Sequence, residues 1–344
     1  QNQRIVSHII DNYPHKRGIH CETGSIKNML TFYGFDISET MIFGIGSGYD
    51  FMHFPFPMFN GCETPLFRNT PGKIFIQFSK RMRIKKKISR FIYPDKAMKA
   101  LDVLLEKQIP VAVVAEILLL PFFPLKDREF PAHTITIIGK EGDEYIVSDC
   151  DYHFPDDSPH RILSNDLKKA RYPKTLMSPL GKMFYIKSFP EKSYLREAII
   201  IGIKDTCHQM LDIPFPFFGV KGIYFLSKRL RLYDKKYGRK QALNNLKWQL
   251  QISEEGGTGG SGYRYMYAAF LKEVAEYLQD EKLLALSDSM REIADEWKVF
   301  AIEALRFQKN HKDKHLDLLA DIVYAIAQME EKFFKELRKW VKEK

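Results

Sequence analysis

The hydrophobic pattern of this chain changes period near Pro190, and that change restricts the folds open to it more than any other feature. Before it, short apolar runs are separated by Gly, Pro and Asp turns. After it come long stretches with apolar residues three and four apart. In the first part, Val111, Val113 and Val114 open a buried strand, 134–138 forms another ended by Gly139, and 144–147 follows the turn Glu141-Gly142-Asp143. The last two read as a hairpin, and 183–186 adds one more strand. Helices are expected over 21–33, stopping at Gly34, and over 94–107. In the second part helices are expected over 193–211, 218–233, 236–251, 263–278, 281–307 and 316–342. The expected class is therefore α+β: an antiparallel sheet led by a helix over residues 1–190, then a mainly α-helical domain over 191–344. A chain of 344 residues can bury two such cores.

Several function classes drop out. No run of eighteen apolar residues is present, so no membrane span is expected; 109–124 is short and broken by Glu116 and prolines. The segment 1–13 is polar without a signal-peptide pattern, and the four cysteines are far apart with no CxxC pair, which points to a reducing, cytoplasmic setting. Structural zinc is not expected, because the 311–315 stretch His-Lys-Asp-Lys-His lacks the Glu that follows the first His of a zinc helix. A net charge of +10 favours an anionic partner without naming it. The segment 80–90 holds seven basic residues and no acid, and Arg83, Lys85 and Lys87 alternate with Met82, Ile84 and Ile88, which reads as an exposed strand with one basic face.

The chemistry rests on order. A cysteine nucleophile reacts as its thiolate, which the unpaired N–H groups and dipole of a helix N-terminus favour, and Cys21 starts the predicted helix. It also needs an imidazole as base and a third group to orient the imidazole. His133 opens one hairpin strand and Asp149 closes the other, so their side chains are expected to meet. Taken singly, each residue reads as well as a packed core group; the succession of all three points to catalysis.

The segments Gly18-Ile19-His20-Cys21-Glu22-Thr23-Gly24-Ser25, Ser38-Glu39, Phe43-Gly44-Ile45-Gly46-Ser47-Gly48 and His133 through Gly139 to Asp149 resemble the butirosin biosynthesis protein H family. That family's N-terminal domain is similar to papain-like and bacteriocin-processing cysteine peptidases. Gly219-Val220-Lys221-Gly222-Ile223 and 256–264 resemble its companion C-terminal domain. The resemblance implies a papain-like domain that carries an acyl group on Cys21. It takes the group from a thioester on the phosphopantetheine arm of an acyl carrier protein and places it on a small amine acceptor. No bound cofactor and no nucleic-acid partner are expected. The rival expectations are a hydrolase using the same acyl-enzyme and an inactive binding protein of the same fold.

Papain-like peptidases usually carry a glutamine six residues before the cysteine as an oxyanion donor; here that position is His15. The expected donors are the Cys21 N–H with His15 or His20, although His20 equally fits a structural role in the turn. Gly44–Gly48 is not a dinucleotide loop, since no βαβ unit surrounds it. The aromatic run from Tyr49 to Phe59 reads equally as core or as cleft lining. The loop Gly256–Gly262 opens a helix, so Gly259, Gly260, Ser261 and Arg264, with Tyr49, are the expected substrate-binding residues.

Overall fold

A computed structural model of the chain describes residues 7–126, 129–175, 177–310 and 316–344. In chain order its elements begin with β1 (Ser7–Ile9), α1 (Cys21–Phe32), α2 (Glu39–Ile45), β2 (Tyr49–Phe59), β3 (Cys62–Arg68) and α3 (Lys73–Arg81). Then follow β4 (Lys85–Ser89), α4 (Pro94–Glu106), β5 (Val111–Ala115), β6 (His133–Glu141), β7 (Glu144–Ser148), β8 (His160–Leu163), α5 (Ser164–Arg171) and β9 (Met183–Ser188). The chain ends in α6 (Leu195–Leu211), α7 (Gly219–Leu250), α8 (Arg264–Leu278), α9 (Glu281–Lys309) and α10 (Asp317–Lys342). The 311–315 stretch, read above for zinc, lies outside the described residues.

Two units emerge from the packing: Gln1–Ile42 with Met82–Ser193, and Phe43–Arg81 with Tyr194–Lys344. The second crossing falls at Ser193–Tyr194, and residues 43–81, placed in the first domain by the sequence reading, fall in the unit that holds the long helices. The strands β2 and β3 carry that segment. They form a separate two-stranded sheet, which Met52 bridges to Phe218 just before α7, and their aromatic side chains pack on helices from the far end of the chain.

The first unit is built on an antiparallel sheet in the order β4-β9-β5-β6-β7-β8, with β1 also on β6. Its core gathers Val111, Val113, Ile135, Ile137, Tyr145 and Val147 from the central strands with Leu101 and Leu105 of α4. This is the α+β architecture expected from the alternating runs, and the expected 134–138/144–147 hairpin is β6–β7. In the second unit the two helices expected over 218–251 form one span, α7, bent at Gly238 (φ 74°, ψ 161°), a backbone conformation that glycine tolerates and other residues resist. Among the described residues no helix is long and apolar enough to cross a membrane.

Candidate active site

Cys21 is the first residue of α1 and partly exposed. His20, in extended conformation, precedes it as the helix cap, and its Nδ1 accepts a hydrogen bond from the Thr23 N–H at 3.5 Å. The strand register explains how the other two residues arrive. Thr136 faces Ser148 across β6 and β7; one pair further on, 149 stands opposite 135 and on the same face as 133. Asp149 Oδ2 lies 2.8 Å from His133 Nε2, with both side chains buried. With Nε2 committed to Asp149, Nδ1 is the ring nitrogen left for the Cys21 thiol, to which His133 is also hydrogen-bonded. Burial opposes the imidazolium, but the Asp149 carboxylate and the Cys21 sulfur outweigh it and hold the His133 pKa well above its ordinary value. Phe123 stands edge-on to the ring at 5.3 Å. Asp151, the neighbouring carboxylate, pairs with His153 Nδ1 at 2.6 Å.

Two residues whose roles sequence reasoning missed hold the loop before Cys21 from opposite sides. The buried Glu39 carboxylate accepts the Ile19 N–H at 2.8 Å and the Thr23 hydroxyl at 3.4 Å, and also takes the His20 N–H. Burial raises the Glu39 pKa against those donors. The Cys150 thiol donates to the Cys21 carbonyl at 3.4 Å, while the Cys150 carbonyl accepts the Gly18 N–H at 2.7 Å. Burial keeps Cys150 protonated, so it serves as a donor here. Gly24 is required by this closeness: a Cβ there would stand 2.6 Å from the Cys150 sulfur and 2.7 Å from Glu39 Oε1. The only signal in the sequence was the presence of Glu39, Gly18 and Gly24 in the motifs quoted above.

The remaining expected residues divide. His15 lies beside the triad, its Nδ1 2.6 Å from the hydroxyl of Ser148, while its Nε2 is buried with no hydrogen-bond partner among the described residues. Burial lowers its pKa. His20 caps α1 through Nδ1, the structural role in the turn that the sequence also allowed for it.

In the substrate-binding set, Tyr49, Ser261 and Arg264 are corrected, because all three are buried. Arg264 is fully buried; its Nε meets Glu330 Oε1 at 3.0 Å and its Nη2 meets Oε2 at 3.1 Å, and its guanidinium stacks over Tyr49 at 4.3 Å. Trp297 Nε1 donates to the same Glu330 at 2.8 Å. Tyr49 is wholly buried in this cluster. Two of the loop amides are likewise committed, the Gly260 N–H to the Thr258 hydroxyl at 3.0 Å and the Ser261 N–H to Glu254 at 3.0 Å, while the Ser261 hydroxyl donates to the Ala294 carbonyl at 2.7 Å. Gly259 and Gly260 (φ 71° and 89°) make the turn possible. Tyr49, Ser261 and Arg264 are thus interior to the second unit, whereas Gly259 is exposed and Gly260 half-buried. Arg264→Ala is accordingly expected to cost roughly 3–5 kcal/mol by leaving Glu330 buried and unpaired, read as a lowered midpoint in urea unfolding. Among the described residues no group of three His, Cys, Asp or Glu side chains is placed to hold a metal ion.

A cysteine at a helix N-terminus, hydrogen-bonded to a histidine on an antiparallel strand that a buried aspartate orients, defines a papain-like cysteine domain. Residues 20–150 match the model for butirosin biosynthesis protein H, N-terminal, and residues 165–337 match the model for a domain of unknown function (DUF4872). The chain thus carries an N-terminal domain of the butirosin biosynthesis protein H family and belongs, through the domain that spans half of it, to the DUF4872 family. A solved structure from Bacillus anthracis, described as a C39-like peptidase, is similar over 54% of this chain and 100% of its own, with 13% identity and a TM-score of 0.35. Among curated proteins there is no significant match.

Proposed function

We propose that the chain is a cysteine-dependent N-acyltransferase of specialised-metabolite biosynthesis, which moves an acyl group from a carrier-protein thioester to a small amine. The observation that carries the reading is the hydrogen-bonded series Cys21–His133–Asp149. Cys21 Sγ attacks the thioester carbonyl, the carrier thiolate leaves and takes the His133 proton, and the acyl group stays on sulfur. The amine then attacks this acyl-enzyme, gives a proton to His133 and expels the Cys21 sulfur as product forms. The Gly18, Ile19, His20 and Thr23 amides all have partners of their own, and the Cys21 N–H at the head of α1 is the donor proposed for the oxyanion. The family's name supports antibiotic biosynthesis as the setting, and the net charge of +10 supports an acidic donor.

The test is product analysis with an acyl thioester, with and without an amine. Amide formed in preference to free acid supports the transferase; free acid at the same rate regardless of amine replaces it with a hydrolase.

Asp149→Asn is expected to lower turnover by about a hundredfold, the low end of what a positioned base contributes, because an amide still orients the ring. Losing the anion that raises the His133 pKa should also move the upper limb of the pH–rate profile to lower pH. An unmoved limb would mean that His133 does not set it.

A further inference from the structure

The sheet register ties the catalytic histidine to a free edge. His133 faces Ala115 on β5, Val113 faces Met183 on β9, and Met183 faces Ser89 on β4. Val113 also faces Ile135, so 135, 113, 183 and 89 lie in one row across four strands, two residues along β6 from His133. The Val114 N–H to Lys182 carbonyl bond of 3.1 Å and the Phe91 N–H to Leu180 carbonyl bond of 3.0 Å continue the contact beyond the ends of β9 and β4. With strands about 4.8 Å apart, the edge at Ser89 lies about 14 Å from Ile135.

The edge exposes basic side chains along β4 and apolar ones just after it. Ile92 is 80% exposed, Tyr93 62% and Leu180 44%. Lys85, Lys87 and Arg90 are exposed along the same edge, and among the described residues no carboxylate pairs with any of the three. The segment 80–93 contains no acid; the nearest in sequence, Asp95, pairs with Lys168 at 3.2 Å. Exposed apolar groups next to exposed charge of one sign mark a protein interface, and the sign selects a partner of opposite sign.

We infer that the β4 edge from Lys85 to Tyr93, with Leu180, is the docking surface for a small acidic protein that presents the acyl donor on a flexible thioester arm. The inference rests on the proposed transferase reading and deepens it: the body of the donor protein sits on the edge while its arm follows the strand row to Cys21. Lysines on an edge strand also discourage edge-to-edge aggregation, and the experiment separates that role from docking.

The probe is a chloroacetamide at the end of a pantetheine arm, free or attached to a small acidic acyl carrier protein. Cys21 sulfur forms a thioether and chloride leaves, and the adduct is read by intact mass. At low salt the carrier-borne reagent is expected to react at least about tenfold faster than the free one, the scale of electrostatic steering. Two variants, Lys85→Glu with Lys87→Glu and Arg90→Glu, and Ile92→Ser with Tyr93→Ser, should each remove that advantage while the free reagent reacts as before. Added salt should erase the effect of the first variant and leave that of the second. A carrier rate unchanged in both variants overturns the proposal, whether or not the variants aggregate, as does an equal loss with both reagents. If the free reagent leaves Cys21 unlabelled, the cysteine reading itself fails, a result distinct from failure of docking.

Discussion

Cys21→Ala is expected to abolish acyl transfer, with a loss of at least about 10³-fold and little change in fold. No other group in the triad can form the covalent intermediate, and residues that act as a unit lose most of their rate when the nucleophile goes. The side chain removed is small and partly exposed, so the stability change should stay near about 1 kcal/mol. Circular dichroism and urea unfolding check the second part. A variant that turned over at wild-type rate would remove Cys21 from the mechanism.

The second large effect is at His133. Iodoacetamide alkylation of Cys21, read near pH 6.5, is expected to fall about 100-fold in His133→Ala, to the rate of a thiol without an imidazolium beside it. That substitution also leaves Asp149 buried without its partner, so His133→Gln, which keeps an amide donor, is the control for folding. In the wild type the raised His133 pKa keeps the imidazolium present above its ordinary titration range, and rapid alkylation should persist there. The same shift bears on stability: the pair stabilises the first unit fully below the ordinary histidine range, and that stability is lost as pH rises through the raised value. An alkylation profile unchanged in both variants would make His133 a structural residue.

How much of this was legible follows from the range over which each interaction acts. The β6–β7 hairpin could be read because alternation and the Glu141-Gly142-Asp143 turn are local, and its register then brings His133 to Asp149. Cys21 at the head of α1 was equally local. Arg264 was misread because its partner Glu330 is 66 residues away, and nothing near a buried charge in sequence announces the carboxylate that neutralises it. The 43–81 segment shows the same limitation. Its apolar strands were visible, but which core they join depends on helices some 150 residues later. Glu39 and Cys150 escaped notice because each acts on backbone amides and carbonyls, which carry no residue-specific pattern.

The central claim is a covalent acyl group on Cys21. Intact-protein and peptide mass spectrometry, after brief mixing with an acyl thioester and no amine, should find the mass of one acyl group on the peptide containing Cys21. The adduct should be absent in Cys21→Ala and discharged when an amine is added. A protein that consumes the thioester while Cys21 stays unmodified under rapid acid quench, or carries the acyl group on another residue, would contradict the account.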